Sequence, residues 1–134
     1  MGESASSAGI RSGKRYTQLK AWVACHEVFL RVHQATRTWP PHELHGLGSQ
    51  ATRAAFSAGA NIAEGVAKGT AREFRRFLDI SIGSLGELSY ILLAARDIGV
   101  LSQSEFGELE ALRDHANRLT WGLYRAVRER ARRK

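Results

Sequence analysis

Arg53, Ser57, Asn61 and Glu64 stand 4, 4 and 3 residues apart, a spacing that puts all four on one face of a helix. Ser84 and Glu87, three residues apart further along the chain, can meet that face if the two segments pack as antiparallel helices. Two carboxylates brought together in this way would offer acid–base chemistry, one protonated and the other not. The competing reading is a hydrogen-bonded network that fixes register and assembly. A lone buried carboxylate is costly, whereas one paired with an arginine and an asparagine is tolerated and specifies geometry. The six residues are therefore expected to form a structural polar network, with Glu64 held by Arg53 or Asn61.

Metal and nucleophile chemistry find little to build on. A di-metal carboxylate centre in a helical bundle needs Glu-x-x-His motifs on two helices, and the sequence contains none. His26 and His33 are seven residues apart, and His42 and His45 fall in a segment with Pro40 and Pro41 that reads as a loop. Cys25 and His26 are neighbours in sequence, and adjacent helix residues point apart rather than at each other. No phosphate-cradling glycine motif occurs. The chain is expected to be a non-enzyme without metal or cofactor.

Basic residues are the stronger signal. Lys14 and Arg15, then Lys68, Arg72, Arg75 and Arg76, then Arg125, Arg128, Arg130, Arg132, Arg133 and Lys134 form three separated clusters. An up-down-up-down bundle would bring all three to one end. Residues 1–20, 64–79 and 125–134 hold 14 basic and 5 acidic residues, a net of +9, while the remainder carries −2 within a total of +7. Charge polarised in this way steers a polyanion or an acidic protein to one surface. Arginine dominates the C-terminal cluster, which suits bidentate phosphate contact. No aromatic residues interleave with these clusters in sequence, which argues against sequence-specific reading of single strands.

Four helices must position these residues. The first is expected from about Thr17 to Thr38, with Trp22, Cys25, Phe29 and Val32 as its apolar stripe. Pro40 and Pro41 interrupt it. The second, about Leu47 to Ala67, repeats small residues at Ala51, Ala55, Gly59 and Ala63, which permits close helix packing. Gly59 in mid-helix costs about 1 kcal/mol relative to Ala, so a tight contact there is expected in return. Thr70 to Glu73 and Ser102 to Glu105 are capping boxes that open helices three and four. Phe74, Phe77, Leu78, Ser81, Leu85, Leu88, Leu92 and Ala95 form the third stripe, ending at Gly99. Leu109, Leu112, Ala116, Leu119, Leu123 and Ala126 form the fourth. The fold class is thus all-α, an antiparallel up-down-up-down four-helix bundle. Residues 1–15 read as a flexible basic arm and 16–134 as a single domain.

The composition, 43% apolar and 25% charged, is that of an ordinary globular domain. No continuous apolar run reaches the ~20 residues of a membrane span, and the N-terminus lacks an apolar signal core. No membrane association and a cytoplasmic location are expected. Cys25 is the single cysteine, so no internal disulfide forms.

Asn61-Ile62-Ala63-Glu64-Gly65, followed by Glu73-Phe74, Arg76-Phe77-Leu78, Gly83-Ser84-Leu85 and Glu87-Leu88, gives the chain a recognisable signature. It resembles the small four-helix-bundle proteins encoded in intervening sequences of bacterial 23S rRNA genes. Leu19, Trp22, His26-Glu27, Pro41, Glu43, Gly46-Leu47, Gln50 and Arg53 fit the same pattern. One departure is Gly59, where the family often has proline. The resemblance implies a non-catalytic homo-oligomer, a homopentamer by preference. It is also distantly similar to accessory proteins of diversity-generating retroelements, basic pentamers that bind nucleic acid and a reverse transcriptase. The expected function is that of an oligomeric accessory protein binding RNA or DNA with weak sequence selectivity. The alternative is a scaffold whose basic end docks an acidic or nucleoprotein partner.

Overall fold

A computed structural model describes residues 15–133, so the expected arm lies outside the described residues except for Arg15, and so does Lys134. The described chain is all helical. Four long helices carry the fold: α1 (Lys20–Thr36), α2 (Ser49–Lys68), α3 (Ala71–Asp97) and α4 (Gln103–Arg133). Each packs on its neighbours in the circuit α1–α2–α3–α4–α1. Side-chain contacts fix the register. Cys25 of α1 meets Thr120 of α4 and Arg31 meets Glu108. Ser57 of α2 meets Ser84 of α3, while Gly65 abuts Phe74 and Phe77. Arg113 and Glu110 of α4 meet Leu85 and Ser89 of α3.

The helix boundaries follow local chemistry. Thr70 has extended dihedrals, and its hydroxyl accepts the Glu73 backbone N–H at 3.2 Å. Ser102 does the same for Glu105 at 3.0 Å. These are the N-cap bonds expected of the two sequence motifs. Gly69, with φ +87°, ends α2 in the left-handed conformation. Gly99, with φ +91°, ends α3: its N–H reaches Arg96 O, and the N–H of Val100 reaches Ala95 O, the paired bonds of a Schellman turn.

The start of helix two departs from the sequence expectation. Pro41 does not hold the chain in a loop but begins a helical turn, Pro41–Glu43, which passes through a π turn, Leu44–Gly48, directly into α2. Proline at the first helical position loses no intrahelical bond and presets the backbone angle. His42 and His45 therefore stand on helical backbone rather than in a loop. Helix one is also shorter than expected, with Arg15–Gln18 forming a separate 3-10 turn.

The core is built from Cys25, Val28 and Val32 of α1; Ala51, Ala55, Ala58 and Ile62 of α2; Leu78, Leu85, Leu88 and Leu92 of α3; and Leu109, Ala116 and Val127 of α4. The α4 face is rotated from the stripe expected. Leu112, Leu119 and Leu123 are only half-buried and Ala126 is exposed, while Arg113, Thr120 and Val127 are buried. Trp22 and Phe29, expected in the core of α1, lie half-buried on its edge. Helix α3 is long and apolar enough to cross a membrane by length and composition alone, although no continuous apolar run suggested it. Its apolar residues Phe77, Leu78, Leu85, Leu88 and Leu92 are buried among the other helices.

Candidate nucleic-acid interface

Segments from the three basic stretches meet at one cleft, where Arg15 and Arg130 are the basic residues in the lining. The 3-10 turn contributes Arg15 with Leu19 just after it, the α2–α3 junction contributes Gly65, Val66, Gly69, Thr70, Ala71 and Phe74, and α4 contributes Leu123 and Arg130. The cleft encloses about 520 Å³ and no carboxylate lines it. Of the basic residues on these segments, Arg15, Lys68, Arg72, Arg76, Arg125, Arg130, Arg132 and Arg133 are exposed, and Arg75 and Arg128 are half-buried. Two of these ten cations have acidic partners within 4 Å: Arg76 with Glu73 at 3.2 Å and Arg133 with Glu129 at 3.9 Å. Arg15, Lys68, Arg72, Arg75, Arg125, Arg128, Arg130 and Arg132 make no ion pair among the described residues. Elsewhere Arg31, Arg96, Arg113 and Arg118 are paired with carboxylates, while Lys20, Arg37 and Arg53 make no ion pair among the described residues. Unpaired cations are denser at this end, eight of ten against three of seven elsewhere among the described residues.

Aromatic residues do lie within the cationic cluster, contrary to the sequence expectation. Arg76 sits 4.5 Å and Lys68 5.5 Å from the centroid of the Phe77 ring, and Arg128 stands over Tyr124 at 5.7 Å. Phe77 is buried, so its ring braces cations and does not offer a stacking face. Such contacts hold guanidinium groups in place without neutralising them.

Gly65, the last residue of the Asn61 to Gly65 run, explains how the junction closes. A Cβ at this position would lie 2.8 Å from Phe74 Cδ1 and 3.0 Å from Phe77 Cβ. Only a bare backbone lets the first turn of α3 fold this closely onto the last turn of α2. At Gly59 the tight contact expected is not seen: a Cβ there would come 3.4 Å from Trp22 Nε1, an ordinary van der Waals distance.

The expected polar network forms in part. Ser57 and Ser84 hydroxyls are 2.9 Å apart, and the Asn61 amide donates to Ser57 O at 2.9 Å and to Ser57 Oγ at 3.0 Å. Arg53 and Glu87 are exposed and line a shallow cleft with these serines, without an ion pair between them. Glu64 is exposed and makes no hydrogen bond or ion pair among the described residues. The pairing of Glu64 with Arg53 or Asn61 is therefore corrected. On a helix the three-residue step from Asn61 to Glu64 turns the side chain back by about 60°, out of the α2–α3 seam.

A second network, not foreseen, joins α3 and α4. Arg113 is 8% exposed. It donates to Glu110 at 2.8 and 3.0 Å in a bidentate fork, and to Leu85 O at 3.4 Å. Ser89 donates to the same carboxylate at 3.4 Å. The Glu110–Arg113 spacing of three was the available signal, but arginine at a core position breaks an apolar periodicity count.

Among the described residues no three His, Cys, Asp or Glu side chains gather to hold a metal ion. Cys25 is buried, and burial pushes its thiol up to about 11, opposed by a weaker lowering from its hydrogen bond with Thr120. His26 stacks on Trp22, with centroids 4.8 Å apart, instead of serving the thiol.

Among known families, the model described as 23S rRNA-intervening sequence protein matches residues 17–122. The match covers all of α1, α2 and α3 and most of α4, so the chain belongs to that family. No curated protein matches the chain.

Proposed function

We propose that this family member is a non-enzymatic, oligomeric accessory protein. In this reading it binds RNA or DNA through the basic end of an antiparallel up-down-up-down bundle. The order of the interhelical contacts supports the antiparallel arrangement: Cys25–Thr120 is followed by Arg31–Glu108, and Ser57–Ser84 by Gly65–Phe74. One observation carries the binding reading: eight cations without acidic partners lie on the segments that meet at this end of the helices, and two of them, Arg15 and Arg130, line a cleft that no carboxylate lines. Unpaired guanidinium groups favour phosphates, and contacts to phosphates carry no sequence information. The family description, which ties the chain's relatives to 23S rRNA, makes RNA the first ligand to try. No membrane, metal or cofactor enters this reading, and its place is the cytoplasm.

Assembly into a homo-oligomer, five-fold by preference, belongs to the same proposal. Phe56, Leu30 and Val23 are half or more exposed on α1 and α2, and Tyr90 and Ile80 are exposed on α3. Between the last two, Gly83 and Gly86 face open space within the chain. Mid-helix glycine costs about 1 kcal/mol, and a close approach by another copy would offset it. Copies side by side would multiply weak phosphate contacts by avidity. Sedimentation equilibrium showing only a 14.8 kDa monomer at micromolar concentration would remove this part of the proposal.

The same unpaired cations also support a second reading, a scaffold whose basic end docks an acidic or nucleoprotein partner. Titration of the pure protein with unrelated RNA and DNA separates the two. Binding that weakens steeply with salt is expected; no binding at low salt would overturn the nucleic-acid reading and leave the scaffold.

A further inference from the structure

The cleft at the basic end has an interior that phosphate binding does not require. Its volume of about 520 Å³ falls within the ~300–1,000 Å³ of sites that enclose small ligands. Leu19, Val66, Phe74 and Leu123 form an apolar floor, and Arg15 and Arg130 approach from two different elements. Gly65 contributes no side chain, which is what allows the Phe74 ring to lie against the end of α2 and face this space. A groove that only tracks a phosphate backbone needs cations, not an apolar recess. A cleft lined by both apolar side chains and two unpaired guanidinium groups fits a ligand with a flat apolar body and an attached anion.

We infer that this cleft seats one unstacked nucleotide, from a bulge or an overhanging end, with its base on Phe74 and Leu123 and its phosphates at Arg15 and Arg130. The inference rests on the nucleic-acid reading of this end of the bundle and adds to it a preference of shape. In an uninterrupted duplex the base is paired and stacked, and extracting it opposes binding. A bulged or overhanging nucleotide has already left the stack, so it enters at less cost. Bases in loops, bulges and ends are the part of RNA that proteins reach most readily.

The test is competition fluorescence anisotropy with three duplexes of one sequence: uninterrupted, with a single abasic bulge, and with a single adenine bulge. The two bulged duplexes carry the same phosphates, so they differ only in the base. A base against an aromatic surface is worth about 5- to 100-fold in affinity, and the adenine bulge is expected to bind about tenfold tighter than the abasic one. Val66→Trp, which fills the cleft and removes no charge, is expected to abolish that difference, and a variant that keeps it would overturn the inference. A second measurement needs no variant: 2-aminopurine placed in the bulge changes its emission when wild-type protein draws it from water into the cleft. Equal affinity for abasic and adenine bulges, with an unchanged 2-aminopurine signal, overturns the inference but leaves salt-dependent binding intact. Failure to bind any of the three duplexes overturns the underlying reading as well.

Discussion

Replacing Gly65 by alanine sets two opposing effects against each other at one atom. Alanine is favoured over glycine in a helix by about 1 kcal/mol. Against that gain, the new methyl would stand 2.8 Å from Phe74 Cδ1 and 3.0 Å from Phe77 Cβ. The Phe74 ring can swing aside, at about 0.5–1.5 kcal/mol for an off-rotamer position. Phe77 Cβ cannot, because it moves only with the α3 backbone, and overpacking of this kind costs about 1–3 kcal/mol. The net expectation is a loss of about 1–2 kcal/mol, or roughly 4–8 °C in melting temperature for a domain of this size. Gly107→Ala is the internal control, since a Cβ there meets nothing within 4 Å. It is expected to gain about 0.5–1 kcal/mol from helix propensity alone. Thermal and urea melts followed by helical circular dichroism, at one protein concentration, compare the two. If Gly65→Ala stabilises as much as Gly107→Ala, the close α2–α3 junction is wrong, and so is the floor it gives the cleft.

Three further outcomes follow from the packing. Glu110→Ala removes the bidentate partner of the buried Arg113 guanidinium, leaving Asp114 at 3.9 Å, and should cost about 1–3 kcal/mol in urea denaturation; an unchanged midpoint would place Arg113 in solvent. Glu64→Ala removes an exposed, unpartnered side chain and should stay within about 0.5 kcal/mol of wild type, so a larger loss would reveal a contact made in the assembly. The Cys25 thiol, raised from 9.0 to about 11, holds its proton more tightly when folded than unfolded. Its contribution to stability is therefore complete below pH 9 and declines as pH rises from about 9 to 11. Relative to Cys25→Ala, wild type should lose stability across that window, and parallel stability curves for the two proteins would contradict the burial of the thiol.

What the sequence disclosed depended on the range of the interaction. The caps at Thr70 and Ser102 are local, involving residues three apart, and they form as the motifs specify. The α3 stripe is equally legible because its buried positions, apart from Ser81, are apolar. On α4 the count of apolar residues misplaced the face, because two buried positions are polar by type and satisfied by side-chain and backbone partners. Thr120 donates to Ala116 O and contacts Cys25, and Arg113 is held by Glu110 and Leu85 O. The reading of Pro40 and Pro41 erred for a different reason: proline stops a preceding helix but also starts a new one. The basic clusters were visible from composition. The meeting of their segments at a cleft with an apolar floor was not, since it depends on the bare backbone of Gly65 and on where Leu19 and Leu123 land.

The most direct test of phosphate binding at the basic end is the salt dependence of a variant with Arg125, Arg128, Arg130, Arg132 and Arg133 replaced by alanine. These residues lie at the end of α4, and none of them is fully buried, so the fold should persist. The measurement is affinity for several unrelated RNA and DNA sequences between about 50 and 200 mM salt, at matched oligomeric state. Affinity is predicted to fall by a similar factor for every sequence. The slope of log affinity against log salt should flatten by roughly 0.7–0.9 for each phosphate that the variant no longer neutralises. An assembled variant that keeps the wild-type affinity and slope would contradict phosphate binding at this end of the bundle.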